Sequence, residues 1–390
     1  MPSLLDQARA IESELVDIRR DLHQHPEVAW EEFRTGQRTA DFCERLGMRV
    51  IRNAAKTGTV AVLNADKPGP ALALRADMDA LPIQEENDVA YKSTKPNKGH
   101  LCGHDAHTAM LMGAAKIMMR YKDQIPFPVK FLFQPAEEVP QGGADVLIAE
   151  GHLNGVAEVF GLHVNPMLPC GSLGVRSGPM MASMDRIEIN VEGVGGHGAM
   201  PNMSRDPVVA AAQIIVALQT IVARRVEPID PAVVSICQVD GGSAFNVIPS
   251  NVRLIGTARS LSPEIWQSLP VWIEEIATGV AKGMGVKARC EYMRGTKVLV
   301  NHAEPVEKIN RAFRRLGGTP VEVKPTMGGE DFAAYLLKAP GAFAFLGAGD
   351  GTPATAQCFH HPRYNIDEKA LPWGSALFVQ VVLDRAGVSA

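Results

Sequence analysis

Short runs that are apolar at nearly every position recur through the first part of the chain, separated by longer segments. Residues 60–64 (VAVLN), 71–77 (ALALRAD), 129–134 (VKFLFQ) and 158–164 (EVFGLHV) read as strands. Between them a helix starts near Asp105 and runs through HTAMLMGAAKIMMRYK, and a shorter one covers 143–151. Strands without a polar face, separated by helices, predict a mostly parallel sheet covered on both sides.

The pattern changes near residue 183. RIEINVEG (186–193) alternates apolar and polar residues, as a strand with one wet face does. Asp206 is positioned to cap a helix whose first turn holds Pro207 and whose body is VVAAAQIIVALQTIVARR. AVVSICQVD (232–240) and NVRLIGTAR (251–259) read as strands. A helix from Ser262-Pro263 to about Gly283 follows, and then a strand at 285–293. This β-α-β-β-α-β order predicts a ferredoxin-like α+β unit. After residue 294 the first style returns, with a helix through EKINRAFRRLGG, another from Glu330, a buried strand at 341–347 and a C-terminal helix. The expected fold is α/β: a discontinuous catalytic domain, 1–183 and 295–390, interrupted by a lid or dimerisation domain at 184–294. Repeats and low-complexity linkers are absent from the sequence.

Composition narrows the function classes. The chain has 390 residues, 46% hydrophobic and 21% charged, with a net charge of -4 and pI near 6.3. That balance argues against a nucleic-acid partner. The N-terminal MPSLLDQARAIESELVDIRRDLHQHP is a charged amphipathic pattern without the apolar core of a signal peptide. No uninterrupted apolar run reaches the ~20 residues of a membrane span. The expectation is a cytoplasmic protein with no membrane partner. Its six scattered cysteines should be reduced, most of them as small buried apolar groups.

Four segments carry candidate chemistry: LCGHDAH (101–107), QPAEE (134–138), GLHV (161–164) and FHHP (359–362). The first three follow or end predicted strands, where ligands gather in an open α/β sheet. Singly, each has an ordinary explanation, such as a helix cap, a solvated helix start or a core histidine. Together they offer five potential ligands from four strand ends. Two divalent ions about 3.5–4 Å apart need about that many, with a spare carboxylate left to act as base.

RADMDALP (75–82), CGHDAHT (102–108), QPAEE (134–138), GLHV (161–164), GGHGAMP (195–201), NVIP (246–249) and GGEDF (328–332) occur in order over nearly the whole chain. In these motifs the sequence resembles the metal-dependent amidohydrolases of the aminoacylase and carboxypeptidase superfamily, whose catalytic domain is aminopeptidase-like. The branch it is most similar to contains hippurate hydrolases, N-acyl-amino-acid amidohydrolases and auxin-conjugate hydrolases.

The resemblance implies roles residue by residue. Cys102 would bridge two metal ions. His104 and His163 would hold one ion, Glu138 and His360 the other. His360 is chosen over His361 because it stands first in a His-x-Pro pattern. Glu137 would be the general base, and Asp79 an acid that orients a ligand. In the inserted domain, His197 would stabilise the oxyanion, often reaching into a partner subunit's site, and Asn246 and Arg259 would bind the substrate's carboxylate and acyl carbonyl. The implied cofactors are two divalent ions per subunit, chosen from Mn²⁺, Zn²⁺, Co²⁺ and Ni²⁺. The implied partner is a small N-acylated amino acid, in a homodimer or dimer-based oligomer.

The sequence departs from the family pattern at Leu101 and at Val139-Pro140-Gln141, beside the expected metal site. Two other readings are a dipeptidase or carboxypeptidase on the same metals, and a non-catalytic metal-binding protein.

Overall fold

The computed structural model describes residues 2–389. The chain divides into two units. The first takes the chain through Gly178, Val300–Lys324 and everything from Asp331 onward; the second is Pro179–Leu299 with Pro325–Glu330.

The first unit is built on an eight-stranded sheet in the order Arg49–Ala54, Gly58–Leu63, Val129–Gln134, Ala71–Asp77, Val156–Pro169, Gly341–Gly349, Ser172–Val175, Thr319–Glu322. The four middle strands, from Val129–Gln134 to Gly341–Gly349, run parallel. Antiparallel pairings flank them. Every residue of Ala71–Asp77 and Gly341–Gly349 is buried, as the apolar runs predict for strands covered on both faces. Helices His104–Met118 and Ala370–Ala386 are apolar almost all round and correspondingly lie inside the core. They meet through Ser375 Oγ, which donates to the Met110 carbonyl at 2.9 Å.

The second unit is a four-stranded antiparallel sheet in the order Ala232–Gly241, Asn251–Ser260, Met184–Glu192, Lys287–Thr296. Helices Pro207–Thr220 and Pro263–Gly283 supply Ala210, Ile214, Leu218, Leu269 and Ile273 to its core. This is the split-βαβ plan. Asp206 Oδ1 accepts from Val208 N and Val209 N, and Ser262 Oγ from Ile265 N, so both helices start at side-chain caps. A π-helical turn, Ile221–Arg225, prolongs the first helix. Pro207–Arg225 is long and apolar enough to cross a membrane by composition. In this unit its buried stripe faces the sheet, and Gln213, Gln219 and Thr220 interrupt the apolar run.

Three expectations need revision. The strand expected at 158–164 extends over Val156–Pro169. The helix expected from Glu330 is only Ala333–Leu336. The Asp331 carboxylate accepts from Arg75 Nη2 at 2.8 Å and Gln134 Nε2 at 2.7 Å, which holds that segment to the sheet instead of starting a helix. All six cysteines are free, but only Cys43 and Cys102 are buried; Cys237 and Cys358 are exposed. Cys237 lies on the edge strand Ala232–Gly241, and an edge strand leaves one flank uncovered.

Candidate metal centre

The parallel strands deliver their carboxyl ends to one place. Asp77 and Gln134 are register partners at the ends of adjacent strands. His163 lies on the next strand, opposite Phe345. Helix His104–Met118 begins there, after Gly103 with φ of 94°. A Cβ at Gly103 would sit 2.5 Å from Val164 Cγ2 and 2.8 Å from the Tyr364 hydroxyl. Glycine therefore allows the chain to turn sharply between Cys102 and His104.

Five of the sequence-predicted residues converge here. Cys102, His104 and His163 place ligand atoms within 4.8 Å of one another, and so do Cys102, Glu138 and His360. Cys102 belongs to both triads. Cys102 Sγ is 3.4 Å from His163 Nε2, and His360 Nε2 is 3.2 Å from Glu138 Oε1. Glu137 joins His104 and Glu138 in a third such group. His361 takes another role, accepting from Arg363 N at 3.0 Å.

The donor chemistry fits metal ions. His163 Nδ1 lies 2.9 Å from the Val164 carbonyl, which can only accept, so Nδ1 carries the hydrogen and Nε2 presents its lone pair beside Cys102. Both His104 ring nitrogens and Glu138 Oε1 are buried without a hydrogen bond among the described residues. Carboxylate oxygens do surround His104, Asp79 at 3.4 Å, Asp77 at 3.6 Å and Glu138 at 3.9 Å, but outside hydrogen-bond geometry. Buried polar groups rarely go unpaired; a cation would satisfy Glu138 Oε1 and the lone pair of one His104 nitrogen, leaving the other nitrogen's hydrogen to a neighbouring carboxylate.

The electrostatics agree. Burial pulls the His104 imidazole down, but Asp77, Asp79 and Glu138 outweigh it and push it up to about 10. Burial and the charges of Glu138, Glu137 and Asp77 push the Cys102 thiol well above its ordinary value. Burial, with His107 and His104 alongside, holds His163 well below the usual imidazole range. The site has excess negative charge that bound cations would neutralise.

The sequence reading missed the side chains behind the ligands. Val164 N donates to His107 Nε2 at 2.9 Å, so the His107 hydrogen is on Nδ1, 2.5 Å from Asp77 Oδ1. With both nitrogens committed, His107 has no lone pair for a metal, although Asp77, His104 and His107 lie close enough to form a ligand group. Arg75 ties this pair to the rest of the network: Nη1 donates to Asp77 Oδ2 at 2.7 Å, Nε to Gln134 Oε1 at 2.8 Å, and Nη2 to Asp331. The spacing of His104 and His107, one helical turn apart, was a readable signal. The pairing of Arg75 with Asp331 across 256 residues was not.

Asp79 holds several of the candidate residues at once. Its Oδ1 accepts from Glu137 N at 2.9 Å and its Oδ2 from Glu138 N at 3.0 Å, while His104 Nδ1 lies near. Leu101 is fully buried and its carbonyl accepts from His360 N at 2.8 Å. The departing loop at 139–141 reaches the surface at Pro140 and Gln141, with Gln141 at φ 56°.

His197, Asn246 and Arg259 belong to the second unit. His197 is exposed on the two-stranded ribbon Gly196–His197 with Val247–Ile248, where Gly198 N donates to the Asn246 carbonyl at 2.8 Å. Arg259 is half-buried on Asn251–Ser260 and gives Nη1 to the Met327 carbonyl at 2.8 Å.

Comparison with known proteins follows the same lines. Residues 73–384 match the model of peptidase family M20/M25/M40. The chain is 39% identical over 376 residues to the N-acetylcysteine deacetylase of Bacillus subtilis (strain 168), covering 96% of this chain and 97% of that one. It is 35% identical over 375 residues to thermostable carboxypeptidase 2 of Saccharolobus solfataricus, covering 95% of each. The crystal structure of the Bacillus subtilis YXEP protein, a dinuclear metal binding peptidase from the M20 family, is similar with a TM-score of 0.85 and 36% identity, over 98% of this chain and 100% of that one.

Proposed function

Since this chain belongs to peptidase family M20/M25/M40, we propose that it is an amide hydrolase that removes the acyl group from N-acylated amino acids with two divalent ions. The observation that carries this reading is the pair of ligand triads sharing Cys102, with Glu137 alongside. Cys102, His104 and His163 would hold one ion, and Cys102, Glu138 and His360 the other. Bound there, the ions would polarise the amide carbonyl and bring a water's pKa close to neutrality.

The chain's own residues do the rest. Glu137 takes the attacking water's proton onto its carboxylate and passes it to the departing nitrogen. Asp331 N donates to Glu137 Oε1 at 3.4 Å and helps aim it. Arg259 grips the substrate carboxylate with the donors that Met327 does not use, and Asn246 holds the acyl side. His197 donates to the developing oxyanion.

An acyl amino acid is preferred because a deacetylase of such compounds is 39% identical over almost the whole chain. The carboxypeptidase relative supports the second reading, cleavage of peptides at the same centre. With Mn²⁺ restored, N-acetyl amino acids and benzoyl-glycine should turn over at least ~100-fold faster, in kcat/KM, than glycyl dipeptides, a discrimination of about 2.7 kcal/mol. Equal or faster dipeptide cleavage would transfer the assignment to the peptidase reading.

We also infer that the protein is a homodimer in which His197 serves the partner's site. The exposed ribbon carrying His197 and the open edge of strand Ala232–Gly241 support it. Mixing Glu137→Ala with His197→Ala subunits leaves one complete site per mixed dimer. A 1:1 mixture should recover roughly a quarter of wild-type activity after subunit exchange. No recovery in a preparation proved to contain mixed dimers would show that His197 does not act across subunits.

A further inference from the structure

The turn that presents Glu137 is strained. Ala136 has φ of 54°, in the left-handed region that alanine avoids and glycine adopts freely. Three successive backbone N–H groups of this turn are gripped by two buried carboxylates. Asp79 takes those of Glu137 and Glu138. The N–H of Ala136 goes to Glu32 Oε1 at 2.8 Å, from a residue 104 positions earlier.

Glu32 is fully buried and built into this position. Its other oxygen accepts from Thr57 Oγ1 at 2.6 Å. It precedes helix Phe33–Arg45 as the cap residue yet makes no capping hydrogen bond. Glu27 takes over that task, accepting from Arg34 N at 2.9 Å and Thr35 N at 2.8 Å. The helix also packs tightly on the Thr57 segment, since a Cβ at Gly36 would lie 1.9 Å from the Thr57 carbonyl oxygen. Both ends of the Glu32 carboxylate are thereby held, and helix capping does not compete for it.

We propose that Glu32 is a positioning residue for the hydrolysis: by clamping Ala136 in its left-handed conformation, it aims Glu137 at the reacting water and sets Glu138 for the metal. This deepens the proposed function and rests on Glu137 as the base. The family motifs assigned above do not include Glu32, and among the described residues its carboxylate hydrogen-bonds to Thr57 and Ala136 rather than to a candidate ligand or the base. Its action runs through the backbone of one residue, which makes it separable from a general packing role. If the clamp matters because alanine resists the left-handed region, glycine at 136 should make the clamp dispensable.

The test is a double-mutant cycle between Glu32→Met and Ala136→Gly, assayed at saturating Mn²⁺. Methionine fills the space and removes the acceptor. Glu32→Met should lower kcat by about tenfold or more, with KM little changed, and weaken Mn²⁺ binding, read by calorimetry, by a similar factor. Ala136→Gly alone should stay near wild type, and the double variant should recover most of the loss. Glu32→Gln should also stay near wild type: its amide oxygen can accept from Ala136 while the Thr57 hydroxyl rotates to accept from the amide. If Glu32→Met does not fold, Thr57→Val, which removes only the brace on the carboxylate, takes its place in the cycle with an expected loss of about threefold.

A folded variant with wild-type kcat and Mn²⁺ affinity overturns the proposal. So does a loss that Ala136→Gly does not recover, because filling or supporting the core would be indifferent to the residue at 136. Glu137→Ala run in parallel separates the two levels. An inactive Glu137→Ala beside an unaffected Glu32→Met sinks this inference alone, whereas an active Glu137→Ala sinks the reading beneath it.

Discussion

Glu137→Ala should bind its cations as wild type does and lose roughly 10²–10⁴ in kcat, the usual contribution of a positioned general base. The expectation follows from where the side chain sits. Glu137 is only partly buried and lies within ligand distance of His104 and Glu138. The metal triads are nonetheless complete without it. Its backbone N–H is held by Asp79 and its Oε1 by Asp331 N, so it is aimed without being consumed as a ligand. Metal content by elemental analysis, kcat and KM on an N-acyl amino acid decide the matter together. If kcat survives, Glu137 is not the base; if the ions are lost with it, Glu137 is a ligand.

Cation binding should be coupled to proton release, with Cys102 and His104 contributing one proton each. Without metal, His104 is pushed up to about 10 and the Cys102 thiol well above its ordinary value, so both carry protons at neutral pH. A metal needs the imidazole lone pair and the thiolate, so binding must expel both protons. Apparent affinity should therefore rise with pH between about 6 and 9, by up to about a hundredfold per unit for two protons. Calorimetric titration of Mn²⁺ at pH 7 in buffers of different ionisation enthalpy should report close to two protons released per site. Fewer than one would contradict the charge balance of the site. In Cys102→Ala, one of these protons should disappear and affinity should fall by at least ~100-fold, because both triads lose their common member.

The same shifts set the stability of the metal-free protein. The folded pKa values of His104 and Cys102 both lie above their unfolded values. Their contribution is fully present below the unfolded pKa of each group, and the His104 part is lost as pH rises through about 10. Alkaline conditions therefore favour the metal-loaded protein over the empty one, because the protons that stabilise the empty fold are the ones a cation must displace.

Much of this molecule is legible residue by residue. The mainly apolar run at 71–77 is a strand with those bounds, Asp206-Pro207 and Ser262-Pro263 start helices, and the change of period near 183 marks the change to an antiparallel sheet. These are local decisions: side-chain alternation, caps and proline act over one to four residues, so the chain states them directly. The candidate ligands were legible too, because thiolate, imidazole and carboxylate at strand ends have few other collective uses.

What only the tertiary structure decided is pairing across long separations. It committed both ring nitrogens of His107, one turn along the helix from His104, to the Asp77 carboxylate and the Val164 N–H. It also placed Glu32 beneath Ala136 and Arg75 against Asp331. A carboxylate's role depends on which donors surround it after folding. A lone glutamate before a helix reads as a cap until the fold shows that another glutamate has taken that position.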